Sequence, residues 1–124
     1  MENDSNRSIW NFDEARMIDL HYHMVLIEYA FENWDIETIN QKIQIIELIV
    51  SGADWGEDEW KNIEEEFSEL EKIKRLLDNN NNNWEEAEQN KIKFYNRARK
   101  IYKIINRKMQ DKGFFFRIKE DEGL

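Results

Sequence analysis

Across all 124 residues there is not one proline, and the four glycines fall at 52, 56, 113 and 123. Proline breaks helices, and glycine supplies the tight turns that an all-β chain needs at short intervals. A chain so poor in both can stay helical for long stretches but has little with which to turn a sheet. The apolar spacing points the same way. Met17, Leu20, Met24, Ile27, Phe31 and Trp34 recur at steps of three and four, and so do Ile36, Ile39, Ile43, Ile46 and Val50. Trp60, Ile63, Phe67, Leu70, Ile73 or Lys74, and Leu77 form a third stripe, and Phe94, Ala98, Ile101, Ile105 and Met109 a fourth. Steps of three and four keep side chains on one face of an α-helix.

These stripes predict helices over about 13–33, 35–51, 57–78 and 84–111, in one domain spanning 1–124. Asn11 or Asp13 suits the N-cap of the first helix, Asp35 that of the second and Asn83 that of the fourth, where Glu86 completes a capping-box pattern. Ser51-Gly52 ends the second helix, with Gly52 free to take a left-handed C-cap. The Asn run 79–83 reads as a loop, because asparagine tolerates the left-handed region and bonds its own turn. Residues 113–124 form a tail carrying Phe114, Phe115 and Phe116. Short connections make sequence neighbours antiparallel, so the expected fold is all-α: a compact antiparallel bundle of about four helices with a short aromatic tail. The first helix also carries Ile18, Tyr22, Val25, Leu26 and Tyr29 off its stripe. A helix apolar nearly all round is central or faces a second chain, so a homodimer is an expectation of the sequence.

Charge is divided unevenly. Residues 1–90 hold 7 Lys/Arg and 23 Asp/Glu, whereas 91–119 hold 11 Lys/Arg and a single acid, Asp111, within an overall net charge of −9. The result is an acidic body with one basic helix. Asp58, Glu65 and Glu69 lie opposite the third stripe, flanked by Glu64, Glu66 and Glu71, and form a candidate surface for a basic protein partner. Lys93, Arg99, Lys100, Lys103 and Arg107 lie opposite the fourth stripe, and this basic helix over 91–108 is a candidate for nucleic-acid phosphates or an acidic partner. Trp10, Trp55 and Phe114–Phe116 fall outside the stripes. They suit aromatic anchors for a partner, or lids over the bundle ends.

Several chemistries are disfavoured. With no cysteine there is no disulfide, thiolate metal site or cysteine nucleophile. Residues 1–8 are polar, and no run approaches the roughly 18 apolar residues of a spanning helix, so the expectation is a soluble, cytoplasmic protein with no membrane partner. His21 and His23 sit about 200° apart on a helix and cannot chelate one ion together. No phosphate loop, nucleophile elbow or His-Glu-x-x-His motif occurs, so neither a catalytic residue, a metal nor a cofactor is assigned. Arg16 and His21 have the Arg-x4-His spacing that resembles HEPN-type ribonucleases, themselves small helical bundles. Met17 stands where that motif carries a polar residue, and the match lies in the first helix rather than late in the domain. The resemblance implies a ribonuclease with His21 in its site.

By elimination, the expected function is non-enzymatic binding of another protein, most simply inhibition of a basic nucleic-acid-handling protein. Anti-CRISPR-like and toxin-immunity inhibitors share this size and charge. The alternatives are a nucleic-acid-binding module using the basic helix and, third, the ribonuclease.

Overall fold

A computed structural model describes residues 14–79 and 83–113, which form four α-helices and no strand. They are α1 (Glu14–Glu32), α2 (Ile36–Ser51), α3 (Glu57–Asn79) and α4 (Trp84–Asp111). Their limits fall within a residue of those read from the spacing. Helices α1 and α2 pack as one hairpin and α3 and α4 as another, and α4 joins the two by also packing on α1 and α2. All four apolar stripes turn inward. Leu20, Ile27 and Phe31 of α1, Ile39 and Val50 of α2, Ile63 of α3 and Phe94, Ile101 and Ile105 of α4 are fully buried in one continuous core. Their burial is the main driving force for a chain with no cross-link.

The sequence sets the helix ends. Asp35 caps α2, its carboxylate accepting from the Thr38 N–H at 3.2 Å and from the Thr38 hydroxyl at 2.7 Å. Asn83 caps α4, its Oδ1 accepting from the Glu86 N–H at 3.0 Å. Gly52 does not take the left-handed C-cap, because φ is −93° there and its N–H reaches Ile49 and Val50 without one. The left-handed caps lie elsewhere. Gly113 has φ +86° after α4, and Trp34 has φ +52° after α1.

Trp34 continues the α1 stripe in spacing but not in space. The Trp34 N–H bonds the Phe31 carbonyl at 3.3 Å and the Asp35 N–H bonds the Ala30 carbonyl at 3.0 Å. This pair of bonds is a Schellman C-cap, which normally places glycine where Trp34 stands. The left-handed backbone costs a residue with a Cβ about 1–2 kcal/mol. Trp34 offsets this by stacking flat on Tyr95 of α4, with centroids 3.9 Å apart. The Tyr95 hydroxyl in turn donates to the Phe31 carbonyl at 3.0 Å, satisfying an acceptor at the end of α1.

Trp55 plays the matching part at the other end. Its indole N–H donates to the Val50 carbonyl at 2.8 Å, and it is 9% exposed. Trp55 is therefore a lid over the core and not an exposed anchor. Lys108 lies over it, with Nζ 5.4 Å from the ring centroid and 2.7 Å from Glu59 Oε1. Trp10 and Phe114–Phe116 lie outside the described residues.

Helix α1 is not central. Its inward face is buried, yet Ile18, Tyr22 and Tyr29 on the opposite face are 62%, 59% and 51% exposed. Among the described residues no helix is long and apolar enough to cross a membrane.

Candidate partner-binding surfaces

The cations of α4 from Lys93 to Lys108 fall into three groups by direction. Those turned toward α3 bind its carboxylates. Glu66 accepts from both Arg97 and Lys100, the latter at 3.0 Å, and Glu59 accepts from Lys108. Burial alone pushes the Glu66 carboxyl up, but the hydrogen bonds and charges of Arg97 and Lys100 outweigh it and leave the pKa lowered. The hydrogen bond from Lys108 likewise lowers Glu59. Arg99 turns toward α1, its guanidinium 5.3 Å from the Phe31 ring centroid. Only Lys93, Lys103 and Arg107 of the predicted basic face remain exposed without an ion pair among the described residues.

Two expectations are corrected by this seam. Glu66 does not belong to a free acidic face, because it is half-buried between two cations. Lys100 and Arg99 do not belong to a free basic ridge, because one is paired and the other lies on aromatic rings. The depression beside Lys103 and Arg107, of about 380 Å³, also contains Glu59 and Asp111, so its charge is mixed.

The acids of α3 divide in the same way. Asp58 and Glu65 are exposed on the outer side, and Glu69 there pairs with Lys72 at 3.3 Å. Glu64 and Glu71 lie along the edge toward α2. A groove of about 430 Å³ opens between α2 and α3. Buried Ile43, Phe67 and Leu70 form its floor, with Gln44, Glu47, Leu48 and Glu71 along its walls. The one cation in it, Lys74, is held at 2.8 Å by Asp78. Leu48 is 75% exposed at the rim. Burial, then the charges of Glu71 and Glu64, push the Glu47 carboxyl above its ordinary pKa. The groove therefore joins an apolar floor to half-buried Glu47 and to Glu71, which pairs with Arg75 at 3.3 Å.

Glu47 is the functional candidate that the sequence reading missed. A signal was present: it is the one charged residue in the apolar run 43–50, three residues before buried Val50 and four after buried Ile43.

The raised pKa has a testable sign. Folded Glu47 holds its proton more tightly than the unfolded chain does, so its contribution to stability is present at acid pH and is lost as pH rises through the folded pKa. Glutamine carries no charge to lose. Glu47→Gln is expected to melt at a higher temperature than the parent at pH 7, and the difference should vanish below about pH 4. Thermal melts followed by circular dichroism at the two pH values measure it. A lower midpoint at pH 7 would mean that the carboxylate stabilises the fold.

The two histidines are half-buried on α1. Burial lowers both pKa values, with Lys42 lowering His23 further against the opposing pull of Asp19. His23 Nε2 lies 3.9 Å from Asp19 Oδ1, too long for a firm bond. Arg16 is exposed, and among the described residues no group of three or more His, Asp or Glu side chains is placed to hold a metal. No family model, curated protein or solved structure matches the chain.

Proposed function

We propose that this chain is a non-enzymatic protein that inhibits a basic, nucleic-acid-handling protein by docking a cationic segment of it in the α2–α3 groove. The observation that carries this reading is the pairing of an apolar floor with a crowded acidic wall. A lysine or arginine of the partner has a matching form: an apolar stem for Ile43, Phe67 and Leu70, and a charged head for Glu47 and Glu71, within the field of Glu64. Carboxylates then occupy the place of the phosphates that such a partner binds. Asp58 and Glu65 extend the acidic field and steer encounter. The second reading, nucleic-acid binding, rests on exposed Lys93, Lys103 and Arg107. It is disfavoured because Arg97, Lys100 and Lys108 are held by α3 carboxylates.

Affinity capture with the intact chain, identifying proteins and nucleic acids together, separates the two readings. The expected catch is a basic protein that is released by salt. It should be lost when Glu47 is reversed and kept when Lys103 and Arg107 are reversed. Capture of nucleic acid alone, abolished by Lys103→Glu with Arg107→Glu, would replace the first reading by the second.

A further inference from the structure

We infer that residues 114–122 fold back along the groove between α3 and α4, so that this chain's own tail covers the two cations on its wall. The groove has a floor of Trp55, Ile63 and Ile104, with Lys103, Arg107 and Asp111 of α4 along one side. Lys103 and Arg107 make no ion pair among the described residues. The end of α4 directs the chain toward this groove. Gly113 stands in the left-handed region at φ +86°, and its N–H bonds the Gln110 carbonyl at 2.9 Å. This is the inner bond of a Schellman cap, the same one that Trp34 makes to Phe31 at the end of α1. In such a cap the residue after the left-handed one commonly packs on the third or fourth residue back from the helix end. Here that residue is Phe114. The positions it packs on are Met109, which is fully buried, and Lys108, which lies over Trp55.

Charge order and reach fit the same path. Asp111 lies nearest the cap, and Arg107 and Lys103 lie six and ten residues before Gly113, or about 9 and 15 Å along α4. The tail runs in the complementary order: Phe114–Phe116, then Arg117 and Lys119, then Glu120, Asp121 and Glu122. Seven extended residues span about 23 Å, so Glu120 reaches both cations with slack. The phenylalanines and Ile118 then lie over the apolar floor. Arg117 and Lys119 lie near Asp111 and the negative end of the α4 dipole, and the three acids lie at Arg107 and Lys103. A wholly acidic or wholly basic occupant would meet like charge at one end of this groove, whereas the tail meets opposite charge at both. With the tail in place, Lys103 and Arg107 are withheld from any polyanion, an autoinhibitory contact against nucleic-acid binding. The inference does not depend on what the α2–α3 groove binds.

Carbodiimide cross-linking of the full chain tests it, in a dilute equal mixture of isotope-labelled and unlabelled protein. Peptide mass spectrometry is expected to find Lys103 joined to Glu120, Asp121 or Glu122 of the same isotope. Lys93, ten residues farther along α4, is the reference and should join none of them. Phe114→Ser, Phe115→Ser and Phe116→Ser together should lower the Lys103 cross-link at least about fivefold, because the apolar contacts no longer hold the tail in place. Circular dichroism checks that this variant keeps its helices. Molar salt supplies a second readout without any substitution: it should lower the same yield in the parent chain while its helicity is unchanged. Cross-links between the two isotopes would give the groove to a second copy and overturn the inference. So would the absence of the Lys103 cross-link, or an equal yield in the parent and the serine variant, which is what a tail that only samples the nearby space produces.

Discussion

Phe94→Ala is expected to lower the folding free energy by about 3–5 kcal/mol, through the lost burial of the ring and the cavity it leaves. Phe94 is wholly buried on α4, the helix that joins the two hairpins. Its neighbours along the stripe, Ala98, Ile101 and Ile105, are also fully buried, and the first of these is too small to move into the space. A domain of this size has about 5–15 kcal/mol in total, so this one substitution removes a large share. The melting temperature should fall by about 15 °C. In urea the midpoint should drop with an unchanged slope, since the native and unfolded states still differ by nearly the same surface. Ile92→Ala supplies the contrast. Ile92 is half exposed two residues away, and its loss should cost within about 0.5 kcal/mol. Equal effects at 92 and 94 would mean that α4 does not face the core along the Phe94 stripe.

The contrast between residues 92 and 94 is one the sequence already carries, because only one of them falls on the three-four repeat. The same logic located all four helices and their caps at Asp35 and Asn83. It located less well what happens where a stripe ends. Trp34 keeps the period of α1, but periodicity has no term for a chain that must reverse within three residues. The Schellman turn takes Trp34 out of the helix and lays it on Tyr95, a residue 61 positions later in the chain. Trp55 was ambiguous for a related reason. Whether an aromatic outside a stripe is lid or anchor depends on whether a carbonyl lies within reach, and the Val50 carbonyl is supplied by the fold.

The candidate surfaces were legible as charge and not as direction. A count of cations over 91–108 does not distinguish Lys103, which faces water, from Lys100 or Arg97, which face Glu66. On a helix those positions differ by about 60–120°, and which side α3 occupies is a tertiary fact. Glu66 and Glu64 are likewise only two residues apart, yet one turns to α4 and the other to the edge facing α2. The groove is lined by residues of both α2 and α3, and no spacing within either helix announces that. Three cations of α4 and two carboxylates of α3 are thereby paired with one another inside the molecule.

Glu47→Lys is expected to weaken binding of the captured basic partner by about 100-fold, while leaving the free protein as stable as before, or more so. The two signs have one cause. In the free chain, Glu47 is half-buried and opposed by Glu71 and Glu64, so a cation at this position meets attraction where the carboxylate meets repulsion. In the complex, the partner's cation relieves that repulsion, and a lysine at 47 instead confronts it with a like charge beside the floor formed by Ile43, Phe67 and Leu70. Juxtaposed like charges at an interface cost several kcal/mol, and a loss of about 100-fold corresponds to about 2.7 kcal/mol. Titration calorimetry with purified partner gives the affinity, and thermal melts of the free variants give the stability. A residue with a purely structural role would lower both together. Reversal of Lys103 and Arg107 should change affinity by no more than about threefold, since exposed charges remote from the contact act mainly through screened, long-range steering. If Glu47→Lys binds as the parent does, the groove is not the docking site. If it binds more weakly only because it has partly unfolded, the melt will show it, and the opposite movement of affinity and stability on which the groove reading stands will be absent.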